Sequence, residues 1–98
     1  MKTVFAVPWI EVESGWGERP EGYAIFEDRK TCVKKTKAAS KRGVYKGGYC
    51  GPNRPMVYYE IPWSVLTAKL KKELKETGRA HSENHWKPKM KGDTTYIS

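Results

Sequence analysis

The segment Thr3–Val12 carries apolar side chains on both of its faces, and this pattern constrains the fold more than any other part of the chain. The two alternating sets are Phe5, Val7 and Trp9 on one face and Val4, Ala6, Pro8 and Ile10 on the other. Segments rich in β-branched and aromatic residues favour strands, so we expect a strand here. Because Pro8 has no N–H to donate, the strand is expected to lie at a sheet edge or to carry a bulge at that residue.

Three further strands are expected along the chain, separated by loops that glycine and proline punctuate. The expected strands are Tyr23–Phe26, Val44–Tyr49 and Met56–Ile61, and the loops between strands include Ser14–Gly22 and Cys50–Pro55. The residues from Thr94 to Ile97 either add a short terminal strand or form an irregular tail.

Two helices complete the expected fold. Asp28 can cap a helix over Arg29–Arg42 that ends at Gly43. Leucines at three- and four-residue steps predict a second helix over Pro62–Thr77, before Gly78. The fold class is therefore α+β: a small, mostly antiparallel sheet of three or four strands with two helices packed on one face. Residues 1–78 are expected to form one domain, and residues 79–98 a polar, basic C-terminal extension.

Charge is distributed unevenly along the 98 residues, whose formal net charge is +8. The chain is net acidic up to Asp28, but Arg29–Pro55 contains nine basic residues and no Asp or Glu. Such a block attracts polyanions and speeds encounter with them, and it leaves the fold itself undetermined. Nucleic acids, nucleotides and acidic protein surfaces are all compatible partners.

The basic residues of the first helix fall on one side at a 3.6-residue period, opposite Cys32, Val33, Thr36, Ala39 and Ser40. This arrangement has two interpretations: a solvated helix face, or a surface that binds phosphates. The absence of acidic residues at i+4 favours the second, since solvated helices usually mix both signs. The candidate anion-binding residues are Lys30, Lys34, Lys37, Lys41, Arg42 and Lys46, together with Arg19 and Arg54.

Aromatic side chains outside the periodic segments are candidates for stacking on bases, although interface aromatics also bind proteins. These candidates are Trp16, Tyr45, Tyr49 and Trp86. The aromatics at periodic positions are more simply assigned to the core: Trp9, Tyr23, Phe26, Tyr59 and Trp63. Arg19 and Arg54 each precede a proline and a predicted strand, so both can reach one end of the sheet as bidentate anion ligands, unless the recurrence is accidental.

The sequence carries no signature of catalysis, of a cofactor or of a metal. Seventeen residues separate Cys32 from Cys50, and His81 and His85 do not complete a known zinc pattern. Cys50 has either a pKa lowered by Lys46 and Arg54 or the inert character of a packed cysteine. With two cysteines and no long apolar run, reduced thiols and a cytoplasmic location are expected.

The run Gly15-Trp16-Gly17-Glu18-Arg19-Pro20-Glu21-Gly22-Tyr23, with the later Tyr58-Tyr59-Glu60-Ile61-Pro62-Trp63, resembles small uncharacterised proteins of bacteriophages and prophages. The resemblance covers roughly residues 16–63 and transfers no activity or site. It implies a bacterial host cytoplasm and a protein that acts on host machinery.

The sequence thus predicts a non-enzymatic module that binds a phosphate-rich ligand, and nucleic acid is the leading candidate for that ligand. The alternative is an inhibitor or adaptor of the phage type, which binds an acidic host protein or sequesters a nucleotide signal to block host defence or regulation.

Overall fold

A computed structural model describes residues 2–13, 17–41, 49–84, 86 and 94–97, apart from the side chains of Glu13 and Tyr49. In chain order the elements are β1 (Thr3–Glu13), β2 (Gly17–Phe26), α1 (Arg29–Lys41), β3 (Tyr49–Pro52), β4 (Val57–Pro62), a 3-10 turn (Trp63–Val65), α2 (Ala68–Thr77), β5 (Arg79–His81) and β6 (Thr95–Tyr96). The fold is α+β, and every strand pairing is antiparallel.

Strand β1 is the centre of the sheet. It pairs with β2 on one side along its length, and on the other side with β4 through its first half and with β3 through its second half. β5 extends the sheet beyond β2, and β6 extends it beyond β4. The expectation of an edge position for this strand is therefore wrong. The alternative, an irregularity at Pro8, is confirmed, because the register with β2 shifts between Pro8 and Ile10.

The two helices cover opposite faces of the sheet. Side chains on what we call the α2 face pack with the leucines of α2: Val4, Ala6, Ile25, Ile61, Leu66, Leu70, Leu74 and Ala80. Side chains on the α1 face pack around Cys32 of α1: Phe5, Val7, Ala24, Phe26, Tyr58 and Ile97. The prediction of both helices on one face is wrong, because β1 is apolar on both faces and each face needs its own cover.

Helix α1 begins as predicted. The carboxylate of Asp28 accepts hydrogen bonds from the Thr31 N–H at 2.8 Å and the Thr31 hydroxyl at 3.0 Å, which satisfies free groups of the first turn. The helix buries only Cys32, Thr36 and Ala39. This thin set of small side chains lets the helix approach the sheet closely but contributes little hydrophobic stabilisation.

The predicted helix over Pro62–Thr77 is two elements. Its first residues form the 3-10 turn, and α2 starts only at Ala68, where the Thr67 hydroxyl accepts from the Leu70 N–H at 3.2 Å. The cap at Thr67 requires extended backbone and so interrupts the helix that the leucine spacing predicts. Gly78 ends α2 as predicted, in the left-handed conformation. Neither of the helices in the described ranges has the length and apolar character needed to cross a bilayer.

The described sheet has six strands, which corrects the prediction of three or four. β3 lies where the connector Cys50–Pro55 was expected, and β2 starts at Gly17, inside the expected loop Ser14–Gly22. β6 confirms the option of a short terminal strand, and β5 adds a strand that no local pattern predicted. Most of the expected strand Val44–Tyr49 lies outside the described residues. The added strand residues have weak local strand propensity, and backbone pairing with the long strands β1 and β2 stabilises them.

Candidate nucleic-acid interface

Four lysines form a single row on the outer surface of α1. This lysine stripe consists of Lys30, Lys34, Lys37 and Lys41, all of them exposed. At 100° per residue the stripe lies opposite the buried residues Cys32, Thr36 and Ala39, so the sheet holds the helix with its lysines directed to solvent. With a rise of about 1.5 Å per residue, the stripe is about 16 Å long.

Three acidic residues near the lysine stripe have other partners. Glu60 pairs with Arg29 at 3.2 Å, and Glu27 pairs with Lys2 at 3.2 Å. Asp28 caps the helix, and its hydrogen bonds from Thr31 lower the pKa of its carboxyl, with a smaller contribution from the charge of Lys30. Within the described ranges no lysine of the stripe forms an ion pair with a carboxylate. The stripe is therefore a surface of one sign whose cations are available to a ligand.

A shallow hollow of about 700 Å³ runs beside the stripe. Phe5 and Val33 supply apolar lining, and Lys30, Lys34 and Lys37 also line the hollow. Phe5 is almost fully buried, and Arg29 lies over its ring at 5.8 Å from the centroid. The hollow thus offers apolar contact next to the lysines, but its ring is not free to stack on a base.

The remaining anion-binding candidates lie apart from the stripe or outside the described residues. Arg19 pairs with Glu11 across β1 and β2 at 2.8 Å. Arg54, which precedes Pro55 in a cis peptide bond, contacts Ser40 at the last turn of α1. The two arginines therefore have separate partners. Arg42 and Lys46 lie outside the described residues.

Of the stacking candidates, only Trp86 has a described side chain. It is half-buried against the α2 face and meets Tyr23 edge-to-face, with ring centroids 5.8 Å apart. Trp86 therefore packs on the core more than it offers a free ring. Tyr49 opens β3, and Trp16 and Tyr45 lie outside the described residues.

Both cysteines are free thiols. Burial raises the pKa of Cys32 to about 11. The hypothesis of a lowered Cys50 pKa is wrong: partial burial and the nearby carboxylates of Glu21 and Glu11 raise the pKa of this exposed thiol. The charges that act on Cys50 come from the paired strands, which its neighbours in sequence do not reveal.

A second concave region, on the α1 face, was not predicted. It lies between α1 and β5 and contains Trp9, Lys35, Arg79 and His81. The alternation of β1 assigned Trp9 to the core, and Arg79 and His81 lie in a polar segment with no periodicity. Among these four residues, only Lys35 could be singled out from the sequence. It is the one lysine of α1 that the 3.6-residue period places away from the lysine stripe.

Comparison of the chain with models of protein families, with curated proteins and with solved structures finds no match.

Proposed function

We propose that the protein is a non-enzymatic module that binds the phosphate backbone of nucleic acid through the lysine stripe of α1. The observation that carries the proposal is the position of Lys30, Lys34, Lys37 and Lys41 on the exposed side of one helix, without a carboxylate partner in the described part of the chain. A solvated helix that served only solubility would gain from mixed signs.

The dimensions of the stripe suit a polyanion. At about 3.4 Å of axis per phosphate of one strand, a length of about 16 Å faces roughly five phosphates. Lysine ammonium groups bind phosphates as point charges without a fixed geometry, so the expected binding is insensitive to base sequence. The rival use of the stripe, docking on an acidic host protein, needs the same charges and is separated by experiment.

The exposed side of α2 provides an internal comparison. It carries four lysines as well, but it intersperses them with Glu73 and Glu76, and Lys69 lies 4.0 Å from Glu83. Because α2 covers the opposite face of the sheet, its lysines and those of the stripe cannot contact one short nucleic acid in the same way. Equal changes of charge on the two helices therefore separate a local site from a general effect of net charge.

The test is the salt dependence of binding to a short fluorescent oligonucleotide, measured by anisotropy for three proteins. These are the wild type, a stripe variant with Lys30, Lys34, Lys37 and Lys41 changed to Gln, and an α2 variant with Lys69, Lys71, Lys72 and Lys75 changed to Gln. If the stripe neutralises about four phosphates, the slope of log affinity against log salt falls by about 3 in the stripe variant. The α2 variant retains most of the slope.

Three outcomes contradict the proposal. The first is no binding of any DNA or RNA by the wild type at low salt. The second is an equal loss in both variants, which would assign binding to net charge alone. The third is retention of one stoichiometric acidic protein from nuclease-treated bacterial lysate by a wild type that binds no nucleic acid.

A further inference from the structure

A groove of about 1000 Å³ separates α1 from β5 on the α1 face of the sheet. Trp9 of β1 and Phe26 of β2 belong to its lining on the sheet side, and Ala38 and Ala39 belong to its lining on α1. Small residues on this side of the helix leave the space open, since a large side chain at Ala38 would fill it. Ligand sites for small molecules typically have volumes of about 300–1000 Å³.

Arg79 supplies a flat cationic surface inside the groove. Its guanidinium carbon lies 5.3 Å from the Trp9 ring centroid and 5.6 Å from the Phe26 ring centroid. Trp9 also meets the His81 ring edge-to-face at 5.5 Å, and His81 Nε2 donates to the Glu21 carbonyl oxygen at 2.6 Å. These contacts hold Arg79 and His81 in place. Guanidinium planes and aromatic rings are the groups on which planar heterocycles stack.

Charges in the groove are ordered along its length. Phe26 pairs with Arg79 and directly precedes Glu27 and Asp28, so these carboxylates lie at the end of the groove near the start of α1. Glu73 of α2 also belongs to the lining. Lys35 lies two turns along α1 from Asp28, on the way to Ala38 and Ala39. Glu27 pairs with Lys2 and Asp28 caps α1, but a carboxylate has about four lone-pair sites and can accept further hydrogen bonds. The groove therefore offers carboxylate acceptors at one end and an exposed ammonium group farther along.

The indole of Trp9, a residue that lines the groove, provides a reporter for a binding experiment. Trp9 Nε1 is buried and donates to no other described group. Buried N–H groups without an acceptor are rare in folded proteins. The nuclear magnetic resonance signal of this N–H reports changes at the Trp9 ring.

We infer that this groove binds a nucleoside monophosphate whose base carries an exocyclic amino group. The base stacks on the Arg79 guanidinium, its amino group donates to the carboxylates near the start of α1, and its phosphate binds the Lys35 ammonium. The amino group of such a ligand lies near the carboxylates of the groove, and its phosphate lies near Lys35. A simple anion would be repelled by the three carboxylates, and a simple cation would be repelled by Lys35 and Arg79. The site lies on a different side of α1 from the lysine stripe and is independent of nucleic-acid binding.

The test is a nuclear magnetic resonance titration of the ¹⁵N-labelled full chain with adenosine monophosphate. We expect saturable shifts of the Trp9 Nε1–H signal, assigned with Trp9→Phe, and of the Arg79 Nε–H signal. Adenosine and ribose 5-phosphate each lack one end of the ligand, and inosine monophosphate lacks the amino donor. Each of the three is expected to bind at least about tenfold more weakly than adenosine monophosphate, because one charge-assisted hydrogen bond contributes about that factor in affinity.

Neighbouring residues of α1 provide matched variants. Lys35→Gln is expected to weaken adenosine monophosphate about tenfold, whereas Lys34→Gln, which removes the same charge from the stripe, leaves the affinity unchanged. Ala38→Leu fills the groove at an exposed position without changing charge and is expected to abolish the shifts while the spectrum stays well dispersed.

The inference is overturned if millimolar adenosine monophosphate leaves the Trp9 and Arg79 signals in place, or if Lys34→Gln weakens it as much as Lys35→Gln. It is also overturned if ribose 5-phosphate binds as well as the nucleotide, or if Ala38→Leu retains full affinity. Each of these results would mean that the ligand binds at the lysine stripe or at no specific site.

Discussion

The guanidinium of Arg54 donates a hydrogen bond to the Ser40 hydroxyl at 3.1 Å and reaches the Ser40 carbonyl oxygen at 3.5 Å. This contact joins the loop between β3 and β4 to the last turn of α1. Carbonyl groups at the end of a helix lack partners within the helix, and a cation near them also complements the helix dipole. Arg54 thus stabilises the end of α1 that the thin buried face holds weakly.

Replacing Arg54 tests this structural role. Arg54→Ala is expected to lower the free energy of unfolding by about 0.5–1 kcal/mol, because the contact is exposed and partly screened. Arg54→Lys should recover only part of the loss, because Nη2 makes both contacts and the shorter lysine side chain does not place its nitrogen at the same position. Urea denaturation gives the measurement. A variant as stable as the wild type, with nucleic-acid affinity reduced as strongly as in the stripe variant, would instead assign Arg54 to the ligand.

The lysine stripe is expected to destabilise the free protein slightly. Lys34 lies one turn from Lys30 and from Lys37, and like charges at this spacing cost roughly 0.2–0.5 kcal/mol per pair. Lys34→Gln should therefore raise the free energy of unfolding by about 0.5 kcal/mol at low salt, and the gain should disappear at high salt. Lys69→Gln on α2 is the control: it removes the cation one turn before Glu73 and the 4.0 Å contact with Glu83, so it should not stabilise. Equal effects of the two changes would show that no local repulsion exists in the stripe.

Gly22 and Gly17 form a matched pair for backbone strain. Both have a positive φ, 74° and 82°, but a Cβ on Gly22 would collide with the Ser82 carbonyl group, whereas one on Gly17 meets open space. Gly17→Ala is expected to cost about 1 kcal/mol from the left-handed conformation alone. Gly22→Ala should cost about 3 kcal/mol or more, because it also disturbs the hydrogen bonds between Tyr23 and Ser82. Thermal denaturation of both variants checks the order, which an equal loss would contradict.

Cys32 makes stability depend on alkaline pH. The unfolded thiol ionises near its ordinary pKa of 9.0, whereas burial raises the pKa of the folded thiol to about 11. Between these values the folded state binds more protons than the unfolded state, so stability falls as pH rises from about 9 to 11. Lysines and tyrosines titrate in the same range, so the measurement compares the wild type with Cys32→Ala. The variant should show the shallower decline, and parallel curves would mean that the thiol does not contribute.

Local signals sufficed for α1 and its stripe. Asp28, the lysine period and the small apolar set opposite are all read from neighbouring residues, and the helix starts where they indicate. The choice of sheet face was a different matter. β1 carries Val4 and Phe5 on opposite faces, both buried, and this pattern already required cover on two sides. The alternation of β1 therefore already indicated one helix on each face, contrary to the prediction of both helices on one face.

The groove could not be predicted in the same way. Arg79, Ala80 and His81 form a strand only because β2 offers a partner edge far away in sequence, and a single apolar residue gives no alternation to recognise. The juxtaposition of Trp9 with Arg79 follows from that pairing, and Thr67 ends the long predicted helix through one hydroxyl group. These features depend on contacts between distant segments, which composition and periodicity do not encode.

Strand β1 pairs with three of the described strands, and β2, α1 and β3 all lie between β1 and its partner β4 in the sequence. During translation the ribosome therefore releases β1 and β2 well before β4. Until β4 emerges, the edge of β1 opposite β2 has no hydrogen-bonding partner for its first half. Long-range closure of this kind makes folding slow relative to helical proteins of equal size. The interval leaves an apolar strand edge open to other chains, so the yield of native protein should depend on the pace of synthesis and on chaperones that shield the nascent hairpin.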